Sequence, residues 1–165
     1  MIEKIFLDMD GVLVDFHSRY DKLYGSNAEE NQRNWSTNWK HWVLTQQFRH
    51  LDWAPGGKTL YNFVKRLNIP FEILSSSGGA DFYDEIKEQK IYWLQKNGFT
   101  CPINIVPGKK YKQEYAKPNY LIIDDTWSII EQWRNAGGFA IFHDHDDVQS
   151  TIDLIIQYMY EDSFN

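Results

Sequence analysis

The chain is short of several things, and each shortage excludes something. Its 165 residues include one cysteine, Cys101, so no intrachain disulfide can form. That fits a reducing compartment, and a cytoplasmic location is expected. Cys101 precedes Pro102 near a strand start and reads as a structural thiol. Long apolar runs are also missing. The apolar part of the N-terminus, Ile5-Phe6-Leu7, is too short for a signal peptide, and no stretch approaches a membrane span, so no membrane association is expected. Positive charge is scarce: 17 Lys and Arg against 23 Asp and Glu leave a formal net charge of -6, and the densest basic group is Lys109, Lys110 and Lys112. An acidic chain repels a long phosphate backbone, so extended nucleic acid is not an expected partner. A single small phosphorylated molecule needs only a few placed cations. There is no internal repeat and no low-complexity segment.

What remains is an ordinary globular composition, 42% hydrophobic and 24% charged, long enough for one domain with a buried core and a small insertion. A monomer or homodimer is expected. The aromatic share of 16%, with seven Trp, ten Tyr and ten Phe, asks for more than core filling.

Apolar runs and helical periodicities alternate along the chain. Ile5-Phe6-Leu7 reads as a buried strand that stops at Asp8. Phe16, Tyr20 and Leu23 fall at helical spacing before Gly25; Asn27 to Asn34 is polar and reads as loop; Trp35, Trp39 and Trp42 share a helical face. Pro55-Gly56-Gly57 breaks the chain. A helix over 58–67, a strand over 71–74 closed by Ser75-Ser76-Ser77-Gly78-Gly79, and a long helix over 81–97 follow. Next come a strand over 103–106, a strand over 120–123 stopping at Asp124-Asp125, a helix over 128–136 and a strand over 139–142. The last helix carries Val148, Ile152, Ile156 and Met159. This alternation predicts an α/β fold with a parallel sheet and helices on both faces. In such sheets ligands sit beyond the carboxyl ends of the strands. Three strands end there on acid or hydroxyl groups: Asp8, Ser75 and Asp124-Asp125. Residues 16–53 interrupt the alternation and predict a helical cap over that edge, leaving 1–15 and 54–165 as the core.

Asp8-Met9-Asp10-Gly11-Val12 is the strongest local signal. The two acids stand where the strand gives way to a turn, and Gly11 permits the backbone that can bring both toward one ligand. This segment resembles the first motif of the haloacid dehalogenase (HAD) superfamily. Ser75 after an apolar strand resembles its second motif, Asp124-Asp125 after Leu121-Ile122-Ile123 its fourth, and a lysine between them its third. The resemblance extends from the start of the chain to about Gly138. Within the superfamily, Asp8 to Phe16, Pro55-Gly56 before a helix, Leu121 to Asp125 and the insertion after the first motif are similar to the 5'(3')-deoxyribonucleotidase family. What this implies is a HAD-like Rossmannoid three-layer sandwich with a small cap after the first strand.

The resemblance also implies roles. Asp8 would be the nucleophile of an aspartyl-phosphate mechanism, and Asp10 the acid that protonates the leaving group and then takes a proton from water. Mg2+ is the implied cofactor, held by Asp8, Asp10 through its backbone carbonyl, and Asp125, with Asp124 orienting the cluster. Ser75, Ser76 and Lys90 would hold the phosphate, with the third-motif lysine. Lys109, Lys110 and Lys112 all lie in the right interval for the latter; Lys112 is the first choice because it leads into Tyr115-Ala116 before the strand, and Lys110 the second. Phe16, Trp39 and Trp42 would line the substrate pocket, where a nucleobase can stack, although cap aromatics also serve the cap's own core. The implied substrate is a nucleoside monophosphate; the alternatives are another small phosphate ester, a nucleic-acid 3'-phosphate, or phosphate binding without catalysis. An acid at position 10 favours phosphate-ester chemistry over carbon–halogen cleavage. His143-Asp144-His145-Asp146-Asp147 reads as a solvated loop and helix start rather than a metal site. Ser75-Ser76-Ser77 is not a serine-hydrolase elbow.

Overall fold

The computed structural model describes residues 1–161; the last four positions of the expected core, 162–165, lie outside the described residues. Five strands form one sheet: β1 (Lys4–Leu7), β2 (Phe71–Ser76), β3 (Ile103–Val106), β4 (Tyr120–Asp124) and β5 (Phe139–Phe142), in the order β3-β2-β1-β4-β5 and parallel at every pairing. The helices are α1 (Phe16–Tyr24), α2 (Ala28–Arg33), α3 (Trp35–Leu44), α4 (Gly57–Arg66), α5 (Tyr83–Lys96), α6 (Trp127–Asn135) and α7 (Val148–Tyr160). Short 3-10 helices span Gln47–His50 and Lys109–Tyr115.

The strands are apolar on both sides because both faces of the sheet are covered. Side chains alternate across the pleat. Ile5 and Leu7 of β1 point to one face with Ile73, Leu121, Ile123 and Ile141, under α4, α5 and α7. Phe6 points to the other with Leu74, Ile122 and Ala140, under Ile129, Ile130 and Trp133 of α6. Three layers result. On α7 Val148, Ile152 and Met159 of the expected stripe pack toward the core, whereas Ile156 is exposed and Ile155 is buried in its place.

The segment expected as a loop, Asn27 to Asn34, contains α2. No residue of α2 is buried. The Asn27 side chain accepts from the Glu30 backbone N–H, and Glu29 and Glu30 lie in the first turn, where carboxylates suit the helix dipole. Capping and local charge, not an apolar stripe, account for this helix.

The inserted segment leaves and rejoins the sheet at one point. The Asp15 N–H donates to the Asp52 carbonyl, the Ala54 N–H donates to the Leu13 carbonyl, and Val14 bridges Trp53. Helix α5 holds the far side: Gln89 Nε2 donates to the Val43 carbonyl at 2.9 Å and Trp93 Nε1 to the Leu51 carbonyl at 2.8 Å. Among the described residues, no helix is long and apolar enough to cross a membrane.

Candidate active site

The sheet order reverses at β1, which runs to β2 and β3 on one side and neighbours β4 and β5 on the other. Such a switch point opens a crevice at the carboxyl ends of the strands. The β1–β4 register pairs Leu7 with Ile123, so one residue further Asp8 and Asp124 stand side by side. After Asp8 the chain folds tightly: the N–H groups of Val12, Leu13 and Val14 all point to the Met9 carbonyl, and Gly11 turns at φ 76°. This turn brings Asp10 back toward the crevice, and Asp8, Asp10 and Asp125 all border one cavity of about 590 Å³.

Two buried lysines organise the acids. Lys112, in the 3-10 helix after β3, donates to Asp8 Oδ1 at 2.9 Å and to Asp124 Oδ2 at 2.7 Å. Burial alone would push its ammonium down; Asp8 and Asp124 outweigh that and hold it above the usual lysine value. Lys90, on α5 and fully buried, donates to Asp10 Oδ2, Ser75 Oγ and the Ser76 carbonyl, each at 2.8 Å. Its ammonium also lies 4.8 Å from the centre of the Phe48 ring, which ties the inserted segment to the same node.

The acids outnumber these cations. Burial, the neighbouring Asp8, Asp124 and Asp10 push Asp125 up to about 7, against the pull of Lys112. Burial and Asp8 push Asp124 up to about 6, with Lys112 and the Thr126 N–H opposing. Carboxylate oxygens of Asp8, Asp124 and Asp125 lie within 4.8 Å of one another, and among the described residues this is the one such group of three. An all-oxygen, strongly anionic set fits a hard divalent cation such as Mg2+. The Asp10 carboxylate is not in this set, since one of its oxygens is given to Lys90 and the other, Oδ1, is buried without a partner.

Other expected residues fall differently. Ser75 is buried and does not border the cavity; its hydroxyl accepts from Lys90. Lys90 likewise stands behind Asp10 rather than in the wall. Ser76 does line the cavity, and its hydroxyl accepts from the Gly78 N–H at 3.0 Å. Phe16, Trp39 and Lys112 also line it. Trp42 does not: it is fully buried among Phe16, Tyr20 and Phe48. In its place Trp35 and Phe48 line the cap side of the cavity. Sequence reasoning does not reach Ser77, Thr126 and Trp127, which border the cavity from the ends of β2 and β4. The position of Thr126-Trp127 directly after the paired aspartates was the available signal. In the His143–Asp147 stretch, Asp147 caps α7 by accepting from the Ser150 N–H, and His143 is buried against Thr151 Oγ1 at 2.7 Å.

No model of a known protein family matches the chain, and no curated protein matches it. Its fold is shared with solved structures at low identity. CbbY from Rhodobacter sphaeroides, in complex with phosphate, is 13% identical, with a TM-score of 0.55 and 86% of each chain covered. A hydrolase from Streptococcus pneumoniae TIGR4 is 16% identical, with a TM-score of 0.54, over 92% of this chain and 98% of the other. A HAD hydrolase of family IA, variant 3, from Entamoeba histolytica HM-1:IMSS is 17% identical, with a TM-score of 0.51, over 87% of this chain and 85% of the other. The architecture is therefore the HAD-like α/β fold with a central parallel sheet. A shared fold does not assign a reaction, so the chemistry is read from the site.

Proposed function

We propose that the protein is a Mg2+-dependent phosphomonoesterase working through an aspartyl-phosphate on Asp8, and that its substrate is a nucleoside monophosphate, as for a 5'(3')-deoxyribonucleotidase. The observation that carries the reaction is the pairing of two acids held in different ways in one cavity. Lys112 pins Asp8 Oδ1, and the Met9 N–H donates to the same oxygen, leaving Oδ2 to attack. Lys90 pins Asp10 Oδ2, leaving the unpartnered Oδ1 to carry the proton.

In the first step Asp8 Oδ2 forms a bond to phosphorus and the ester P–O bond breaks, while Asp10 gives its proton to the departing alkoxide. In the second, Asp10 takes a proton from water as the water oxygen bonds to phosphorus. The bond to Asp8 breaks, freeing inorganic phosphate and restoring both carboxyls. Asp8, Asp124 and Asp125 would hold Mg2+, which offsets negative charge on the phosphoryl group when bound. Ser76, Ser77, Gly78 and Lys112 line the cavity with Asp8 and would receive the phosphoryl oxygens there.

The nucleotide reading rests on the cap side of the cavity. Trp35 and Trp39 stack at 5.3 Å with 17° between planes, and Phe16 sits 6.3 Å from Trp39. Phe16, His17 and Trp35 also border a second cavity of about 620 Å³ between α1 and α2, so the cleft has room for a group larger than a sugar. Stacking a base on an aromatic contributes about 1–3 kcal/mol, roughly five- to a hundredfold in specificity constant. The test compares nucleoside monophosphates with ribose 5-phosphate. Wild type should prefer the nucleotide by that factor, and Trp39→Ala should remove the preference while leaving ribose 5-phosphate turnover within about twofold. Equal turnover of both by wild type defeats the nucleotide reading. Asp8→Asn activity within tenfold of wild type defeats the mechanism.

A further inference from the structure

Three lysines crowd the stretch after β3, and the proposed chemistry uses only Lys112. The other two are placed differently. Lys110 lies 5.1 Å from the centre of the Tyr111 ring and does not border the cavity. Lys109 is exposed, opens the 3-10 helix and borders the cavity. Among the described residues its side chain has no ion pair, hydrogen bond or ring contact.

The charge count of the cleft shows what that freedom is worth. Asp8, Asp10, Asp124 and Asp125 face two buried lysines. An ammonium has three N–H donors. Lys90 has spent all three, on Asp10, Ser75 and Ser76. Lys112 has spent two, on Asp8 and Asp124. With four carboxyl groups against two lysines the cleft keeps an excess of negative charge even when Asp10 carries its proton, and one bound divalent ion offsets it. A phosphate dianion entering then restores that excess. Lys109 is the lysine of the cavity wall with no carboxylate already assigned to it.

We propose that Lys109 is a substrate-binding residue whose ammonium pairs with a non-bridging oxygen of the incoming phosphate group; this rests on the phosphomonoesterase reading above. Because the residue is exposed and reaches the phosphate from the rim, it contributes to capture rather than to bond breaking. Its effect falls on KM and is weakened by salt, which screens exposed charges over about 10 Å at 0.1 M.

Calorimetric titration of the Mg2+-loaded protein with inorganic phosphate tests this without turnover. Lys109→Ala should weaken phosphate binding about tenfold, the low end for a charged hydrogen bond in a partly solvated place, and Lys109→Arg should keep it within about threefold of wild type. Lys110→Ala, which removes the same charge one residue away, should leave binding unchanged. In steady-state assays Lys109→Ala should raise KM by the same factor, with kcat within about threefold. Phosphate binding by Lys109→Ala within twofold of wild type overturns the proposal, as does equal weakening in Lys109→Ala and Lys110→Ala, which would mark a bulk charge effect. If wild type binds phosphate yet hydrolyses no phosphomonoester, the enzymatic reading fails while the titration still decides the role of Lys109. If wild type binds no phosphate, both fall.

Discussion

The carboxylate of Asp125 occupies the space a side chain at Gly11 would need: a Cβ built there would lie 1.9 Å from Asp125 Oδ2. Gly11 also sits at φ 76°, where side chains are disfavoured. Two independent constraints thus fall on one residue. Gly11→Ala should destabilise the protein by more than about 1 kcal/mol and displace Asp125. Denaturant unfolding gives the first number. Raised Mg2+ demand in the assay gives the second, and a variant with wild-type Mg2+ dependence would show that Asp125 is not part of the ion site.

Asp8 and Asp10 should separate when the leaving group is changed. Asp10→Asn should slow nucleotide hydrolysis by about a hundredfold or more, the usual reach of a positioned acid. It should slow p-nitrophenyl phosphate less, since that leaving group departs without protonation. Asp8→Asn should lose both substrates alike, by about a thousandfold or more. Equal losses on both substrates for Asp10→Asn would remove it as the leaving-group acid.

Crowded carboxylates predict a metal-dependent stability. Above about pH 7 Asp125 has lost the proton that burial and its neighbours favour, and the repulsion among Asp8, Asp124 and Asp125 is then largest. Mg2+ at about a hundred times its Kd should stabilise the chelator-treated protein by about 2.7 kcal/mol, several degrees in Tm for a chain of this size. The gain should shrink below about pH 6, where protons compete for the same oxygens. Thermal shift in EDTA and in Mg2+ measures it; no shift at any pH would dismiss the ion site.

His143 sets an acid limit on the fold. Burial, with His145, pushes it down to about 4 from 6.5, against Asp144, Asp147 and Asp8, and its Nε2 is buried without a partner. The folded state therefore favours neutral imidazole. Its contribution is intact above about pH 6.5 and is lost as pH falls toward about 4, because the unfolded chain binds the proton first. His143→Gln keeps a partner for Thr151 and cannot titrate, so its stability should fall less over that window. Parallel curves for the two proteins would place the acid sensitivity elsewhere.

Much of this was legible in the sequence because strand ends are marked by abrupt changes in chemistry. Ile5-Phe6-Leu7 into Asp8 and Leu121-Ile122-Ile123 into Asp124-Asp125 fix two strands and put acids at one edge. What periodicity does not decide is which side of a helix face meets which neighbour. Trp35, Trp39 and Trp42 share a face of α3, yet Trp42 is fully buried while Trp35 is 45% exposed at the cavity. The difference lies in what the rest of the chain brings against each turn, here Phe16 and Phe48. Ser75 and Ser76 show the same limit in a strand: alternate pointing sends one hydroxyl inward to Lys90 and leaves the other at the cavity. Helix α2 was hidden because it has no buried face, although Asn27 followed three residues later by Glu30 is a readable cap.

The stitch between residues 13–15 and 52–54, with α5 clasping the far side, makes the cap a cassette plugged into the core. The two ends of the inserted segment are already joined by backbone hydrogen bonds, so the sheet does not register how much chain lies between them. The entropy of closing such a loop grows only slowly with its length. Outer turns such as α2, which bury nothing, are free to lengthen, shorten or change composition while Asp8, Asp10 and Asp125 keep their places. A scaffold of this kind can exchange what it recognises without renegotiating how it reacts.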